Sequence, residues 1–279
     1  MNYFKNTISV ISGGSRGIGK QMAIELAKKG SSVFIIGKTL NSNDSKLEGS
    51  LEETTKEIKS FGGSCEPVKL DLRNRDDINN KISLLPNKID ILINNASAIT
   101  RDDTTIITSK KYNLINEVNS QGTFFLTKNM IPKLKNSSNP RVLTISPNIH
   151  FDKEWFKIAG VPYTISKMNM SMYSLGWSEE FKNQIAFNCL WPKRIVKTDA
   201  IKLLIGDKGL HLARDPKIMS DAMIKVLENN VDYSGNFLID EEVLTEAGVD
   251  IKQYGNTKAM IDYYVDSPGM LMSNLSKLL

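Results

Sequence analysis

Five times along this chain a short apolar run gives way to a longer stretch of helical period: 7–11 then 18–29, 32–36 then 51–61, 65–70 then 76–85, 89–93 then 110–134, and 141–145 then 163–181. A further apolar run follows at 185–190, and another at 236–239. Runs of this length with no polar alternation fit strands covered by helices on both faces. The alternation predicts βαβ units and therefore an α/β fold, a doubly wound parallel sheet of Rossmann type. A chain of 279 residues is long enough for two domains, but the series is unbroken, so a single domain over 1–279 is expected. An irregular C-terminal extension is expected from about 240, containing Tyr254, Tyr263 and Tyr264. Residues 39–49 form a polar loop, longer than an ordinary strand-to-helix connection, that is expected to lie near a ligand.

Composition excludes several classes of function. The formal charge is +5, yet Lys28, Lys29, Lys56 and Lys59 alternate with acids along predicted helices, as on solvated faces. No stripe of Arg and Lys interleaves with aromatics, so no nucleic-acid partner is expected. Cys65 and Cys189 are too few for a metal cluster and lie in apolar runs, where buried structural thiols are the ordinary case. There is no apolar run of membrane-spanning length and no signal-like start, and Ser276-Lys277-Leu278 is one residue short of terminal. A cytoplasmic protein without a membrane span is the expectation.

Directly after the first predicted strand comes Ser12-Gly13-Gly14-Ser15-Arg16-Gly17-Ile18-Gly19, and a helix follows. Glycines allow close backbone approach, and the free amides of a helix N-terminus favour a pyrophosphate. Strand, turn and helix in this order point to dinucleotide binding, with Gly13, Ser15, Arg16, Gly17, Ile18 and Gly19 as the cradle. NAD-selective sites place an acid at the end of the second strand to meet the ribose hydroxyls. Here Gly37-Lys38-Thr39 stands there, and Arg16 lies in the turn. Two cations and no acid favour the 2′-phosphate, so NADP(H) is expected over NAD(H).

Tyr163 and Lys167 are four residues apart on a predicted helix and share a face. An unperturbed tyrosine, with pKa about 10, is a poor acid at neutral pH, and a neighbouring ammonium stabilises its phenolate. The glycine turn, with Gly13, Gly17 and Gly19 in G-x-x-x-G-x-G spacing, is followed by Asp71, Asn94-Asn95-Ala96, Asn119 and the Tyr163/Lys167 pair. In that order they resemble the short-chain dehydrogenase/reductase family. A closer resemblance, to one branch of it, is carried by Ile36-Gly37-Lys38-Thr39, Ile145-Ser146-Pro147, Trp155-Phe156-Lys157, Tyr163-Thr164-Ile165-Ser166-Lys167 and Leu190-Trp191-Pro192-Lys193. The resemblance implies a carbonyl/alcohol oxidoreductase in which Tyr163 donates and accepts the proton. It also implies that Lys167 binds the nicotinamide ribose and lowers the Tyr163 pKa. Asn119 would hold a relay water, Asp71 would contact adenine, Asn94 would line the cofactor cleft and Thr198 would meet the carboxamide. A homodimer or homotetramer, paired through the helices near 110–134 and 163–181, is implied as well.

Two departures from the family pattern stand out. The substrate-orienting serine is usually the second of a Ser-Ser pair, where this chain has Ser146-Pro147. Proline has no donor, so Ser146 is expected to take the role, with Asn148 and His150 as alternatives. The loop after the sixth strand reads Pro192-Lys193-Arg194 where Pro-Gly is usual, and these cations are expected to reach cofactor phosphates or an acidic substrate group, or to lie on the surface. Trp155, Phe156, Met170, Tyr173 and Trp191 flank the expected pocket and suggest a bulky apolar, lipid-like substrate. A dinucleotide-binding sensor with little turnover is the alternative.

Overall fold

The structure, a computed structural model, describes residues 3–44, 47–100, 102–148, 156, 160–199, 201–202, 210 and 213–255. Seven parallel strands form one sheet: β1 (Ile8–Ser12), β2 (Ser32–Gly37), β3 (Ser64–Lys69), β4 (Ile91–Asn94), β5 (Arg141–Ile145), β6 (Ala186–Trp191) and β7 (Phe237–Ile239). Their order is β3-β2-β1-β4-β5-β6-β7, so the winding reverses between β1 and β4. Ligands of open α/β sheets lie at such a reversal, outside the carboxyl ends of the strands.

Consecutive strand residues feed opposite cores because the side-chain period of a strand is two. Ile11, Ile35, Ile93 and Leu143 pack with α1 (Gly17–Lys28), α2 (Leu51–Ser60) and a late helix over Lys217–Leu227. Val10, Ile36, Leu92 and Val142 pack on the other face with α3 (Arg75–Ser83), α5 (Thr123–Leu134) and α6 (Val161–Glu180). The late helix is α7 (Lys217–Leu227), and β7 leads into α8 (Asp240–Glu246). Ser50, Asn74 and Thr108 cap α2, α3 and α4 (Ser109–Ile115), each accepting a hydrogen bond from a backbone N–H three residues on.

The sequence expectation differs from this fold in two places. The helix expected over 110–134 is three segments: α4, a π-helical stretch at Asn116–Gly122, and α5. A π turn interrupts a helix without ending its periodic burial, so the apolar pattern runs straight through it. The stretch after 240 is not irregular at its start, because α8 opens on Asp240, Glu241 and Glu242. Three acids in a first turn suit the positive end of the helix dipole. Tyr254 is buried and its hydroxyl donates to Asp221, whereas Tyr263 and Tyr264 lie outside the described residues.

Candidate active site

The glycine turn is built against the carboxyl end of β4. Gly13 has φ +73°, which a side chain disfavours, and a Cβ at Gly19 would meet the Gly13 carbonyl oxygen at 2.2 Å. Asn95 closes the turn, its Nδ2 donating to the carbonyl oxygens of Ser12 at 3.0 Å and Gly13 at 3.2 Å. The backbone N–H groups of Asn95 and Ala96 donate to Ser12 Oγ, both at 3.1 Å. Asn94 behaves differently from its neighbour: it is buried, and its Nδ2 donates to Thr127 Oγ1 on α5 at 2.9 Å. Asn94 thus ties β4 to α5, and Asn95 is the one of the pair that meets the glycine turn. Strand alternation turns these two neighbours in opposite directions, which the residue types do not reveal.

Ser15 and Ile18 continue the turn into α1, with Thr54 Oγ1 donating to the Ser15 carbonyl at 3.3 Å and Ile18 packing on the core. Arg16 folds over the loop that follows β2, its Nη2 donating to the carbonyl oxygens of Gly49 at 2.6 Å and Leu47 at 3.4 Å. Its buried Nε has no hydrogen-bond partner among the described residues, and Asp199 Oδ2 is 4.0 Å away. Gly17 faces Thr198, whose Cγ2 would lie 3.2 Å from a Cβ at Gly17. The turn and the loop after β6 thus enclose a cradle that side chains would fill, a fit to a dinucleotide phosphate. Lys38 is exposed at the end of β2. Asp71 is engaged by Arg73, whose Nη2 donates to Oδ2 at 2.5 Å and whose side-chain hydrogen bonds hold the carboxyl below its ordinary range.

The other half of the site lies over β4, β5 and β6. Tyr163 is third in α6, after Pro162, which suits a first helical turn, and it packs with Ile115, Ala98, Ile99 and Ile107. Lys167, one turn later, is buried, donates from Nζ to the Ile145 carbonyl at 2.6 Å, and lies 5.3 Å from the centre of the Trp191 ring. Burial pushes its pKa down to about 7. Asn119, inside the π stretch, spends its side chain on the scaffold. Its Oδ1 accepts from the Ala98 N–H at 2.7 Å, and its Nδ2 donates to the Ala98 carbonyl at 2.9 Å and to Ser166 Oγ at 3.0 Å. Ser166 Oγ in turn donates to the Tyr163 carbonyl at 2.8 Å. The chain from Ala98 through Asn119 and Ser166 fixes the first turn of α6, and Ser166 is a positioning residue that sequence reasoning missed.

Ser146 has no accessible surface and lies beside Cys189, with Ser171 and Ser174 also around the thiol. Burial pushes the Cys189 thiol up, and it pushes the Cys65 thiol, under α2, to about 11. The orienting serine expected at 146 is thus a buried residue of the β5–β6 packing, because Ser171 Oγ grips the Pro147 carbonyl at 2.6 Å and holds this corner against α6. Asn148 is half-buried, and His150 and Trp155 lie outside the described residues, while Phe156 is half-buried. Met170 is wholly buried and Tyr173 stacks with Phe124 and Trp177, so both belong to the core. Trp191, whose ring centre lies 5.3 Å from Lys167 Nζ, is the aromatic of that group that meets the Tyr163/Lys167 pair among the described residues. Arg194 is partly buried, and its Nε donates to Glu241 Oε1 at 3.1 Å.

These features belong to a class. The short chain dehydrogenase family model matches residues 7–206, and the chain belongs to that family of NAD(P)-dependent oxidoreductases. It is similar to hydroxysteroid dehydrogenase-like protein 2 from Xenopus laevis, at 38% identity over 262 residues, which cover 93% of this chain and 60% of that protein. The human protein of the same name is 39% identical over 243 residues, covering 86% of this chain and 58% of its own length. The chain thus spans between about half and 60% of the length of the curated relatives it matches. A short chain dehydrogenase homolog from Mycobacterium thermoresistibile superposes with a TM-score of 0.87 at 35% identity, covering 95% of this chain and 97% of that one. Among the described residues, no helix is long and apolar enough to cross a membrane.

Proposed function

We propose that this chain uses NADP(H) to interconvert a carbonyl and an alcohol on a bulky apolar, lipid-like substrate, with Tyr163 as the general acid and base. The observation that carries this reading is the pairing of Tyr163 with a desolvated Lys167 one turn along α6, at the carboxyl end of the sheet. When bound, the nicotinamide supplies or accepts the hydride. In reduction the Tyr163 hydroxyl gives its proton to the substrate oxygen and is left as phenolate. Lowering a phenol by ~3 pKa units takes about 4 kcal/mol of preferential stabilisation of the phenolate. An ammonium on the same helix face supplies this more readily when it is buried, since its field is less screened. Asn119 and Ser166 hold the first turn of α6, and so keep the hydroxyl in one place. Ala98, Ile99 and Ile107 beside Tyr163 favour an apolar substrate, and the name of the curated relatives points toward a steroid-like one.

Lys38, exposed where NAD-selective chains carry an acid, favours the 2′-phosphate, and Arg16 in the glycine turn adds a second cation. Fluorescence titration should give tighter binding of NADPH than of NADH, and Lys38→Glu should cut the NADPH affinity by about tenfold or more while leaving NADH nearly unchanged. Equal affinities in the wild type would sink the NADP(H) preference. Consumption of NADPH with a panel of apolar aldehydes and ketones tests turnover. Binding without turnover would instead favour the sensor reading, which the buried Ser146 supports.

Assembly follows from the same helices. Val161, Ile165, Met172 and Leu175 form an exposed apolar stripe on α6, and Tyr112 is exposed on α4. A homodimer or homotetramer buries such a stripe. Light scattering should give a multiple of the monomer mass, and a monomer at micromolar concentration would remove the claim.

A further inference from the structure

The loop after β6 crosses from the carboxyl end of that strand to the glycine turn, ending at Thr198 against Gly17. Since the turn takes the pyrophosphate, the nicotinamide half must lie over β4 to β6, beneath this loop. The loop is held from behind by charged groups that the catalytic site does not use. Asp240 Oδ1 accepts from the backbone N–H of Lys193 at 2.8 Å and of Glu241 at 2.7 Å. Glu241 Oε1 accepts from Arg194 Nε at 3.1 Å, Arg214 Nε at 2.9 Å and Arg214 Nη2 at 2.6 Å. Arg214 is fully buried, its Nη1 donates to the carbonyls of Ile251 and Gly255, and its backbone brackets the loop through Ile195 and Lys197. From Lys193 to Lys197 these loop contacts run to the start of α8 or to the backbone of Arg214.

This arrangement exceeds what packing needs. The Glu241 carboxylate and the Arg214 guanidinium are taken out of water with the partly exposed Arg194 beside them, and burial raises the Asp240 carboxyl to about 7, although buried ion pairs are poor stabilisers. What such a cluster supplies is a fixed geometry, because each donor has one acceptor in one direction. Asp240 Oδ2 has no hydrogen-bond partner among the described residues, so only its Oδ1 holds the loop in place.

We propose that Asp240, Glu241 and Arg214 are positioning residues that set the loop at 192–198 through Lys193 and Arg194, and so determine affinity for the nicotinamide half of the dinucleotide. Lys193, standing where the family's Pro-Gly has its glycine, and Arg194 are the loop side of this latch. The inference rests on the dinucleotide-binding reading above. Its consequence is a split: ligands that reach the loop feel the latch, and ligands confined to the glycine turn do not.

The test compares NADPH with 2′,5′-ADP, which keeps the phosphate end and lacks the nicotinamide, on the wild type, Asp240→Asn, Glu241→Gln and Arg194→Met. Each variant is expected to lose NADPH affinity by roughly tenfold or more, the scale on which loss of loop pre-organisation acts, with 2′,5′-ADP affinity unchanged. Parallel losses for both ligands, or none for either, would overturn the proposal, because a structural role has no reason to distinguish them. If Glu241→Gln does not fold, Arg194→Met, on a partly exposed side chain, and the isosteric Asp240→Asn carry the comparison. A wild type that binds neither ligand would bring down the dinucleotide reading itself, and the latch with it. Binding of both ligands with no split in the variants overturns the latch alone.

Discussion

Tyr163→Phe is expected to lower kcat by about a thousandfold, within the range over which a positioned acid-base group acts, and to leave NADPH affinity within about twofold. The substitution removes one oxygen from a ring packed among Ile115, Ala98, Ile99 and Ile107, so the hydrophobic contacts survive. What is lost is the proton that the reduced carbonyl oxygen must receive. The loss should fall on kcat and kcat/KM alike, because the interaction forms as charge develops on that oxygen. Single-turnover measurements at saturating NADPH isolate the step, and a variant retaining more than about a tenth of the rate would remove Tyr163 from the acid-base role.

Lys167→Met is expected to abolish turnover and, without ligand, to make the protein more stable. The fall of the Lys167 pKa from 10.5 to about 7 corresponds to a cost of about 5 kcal/mol for keeping the ammonium buried. Removing the side chain also breaks the bond to the Ile145 carbonyl and leaves that oxygen unsatisfied, which takes back roughly 3 kcal/mol. A net gain of about 2 kcal/mol should raise Tm by about 5 °C. The sign with pH follows from linkage. Below about 7 the lysine is protonated in folded and unfolded chains alike, and the burial cost is fully present. Between about 7 and 10.5 the folded chain sheds its proton first, so wild-type stability rises with pH. Above 10.5 both are neutral and the charge cost is gone. Melting curves at pH 6 and pH 10 check this, and a Tm advantage that did not shrink with pH would show that burial of the charge is not its cause. Stability given up at a reacting group is a familiar trade in enzymes.

The fold was legible because burial in a parallel sheet leaves a signature that survives without alignment: runs such as Val33 to Ile36 are apolar on both faces. The site was legible where chemistry demands a residue type at a fixed spacing, as for Gly13, Gly17 and Gly19 or for Tyr163 and Lys167. It was not legible where direction decides. Asn94 and Asn95 are the same residue type in adjacent positions, yet one grips α5 and the other the glycine turn. Nor does the sequence reveal that Ser146, beside Pro147, is buried near the Cys189 thiol with its hydroxyl unpartnered among the described residues. The acceptor of Arg194 lies 47 residues further along the chain, at Glu241, which Arg214 also grips, so no local pattern around Arg194 announces it. Ser166 carried a weak signal, standing beside Lys167 on a helix, where a serine reads as filler.

The two thiols have a consequence for where such a fold can operate. Cys65 lies on the edge strand β3 and Cys189 on β6, five strand spacings away, or about 24 Å. A disulfide needs Cα atoms within ~7 Å, so the native chain cannot close one on itself. Both thiols are buried and pushed toward the neutral form, which is the unreactive one. No bond in the described core has to be made or broken when the surroundings change from reducing to oxidising. Neither thiol therefore ties the described core to the redox state of its surroundings, and the proposed hydride chemistry can run without a cysteine of the scaffold taking part.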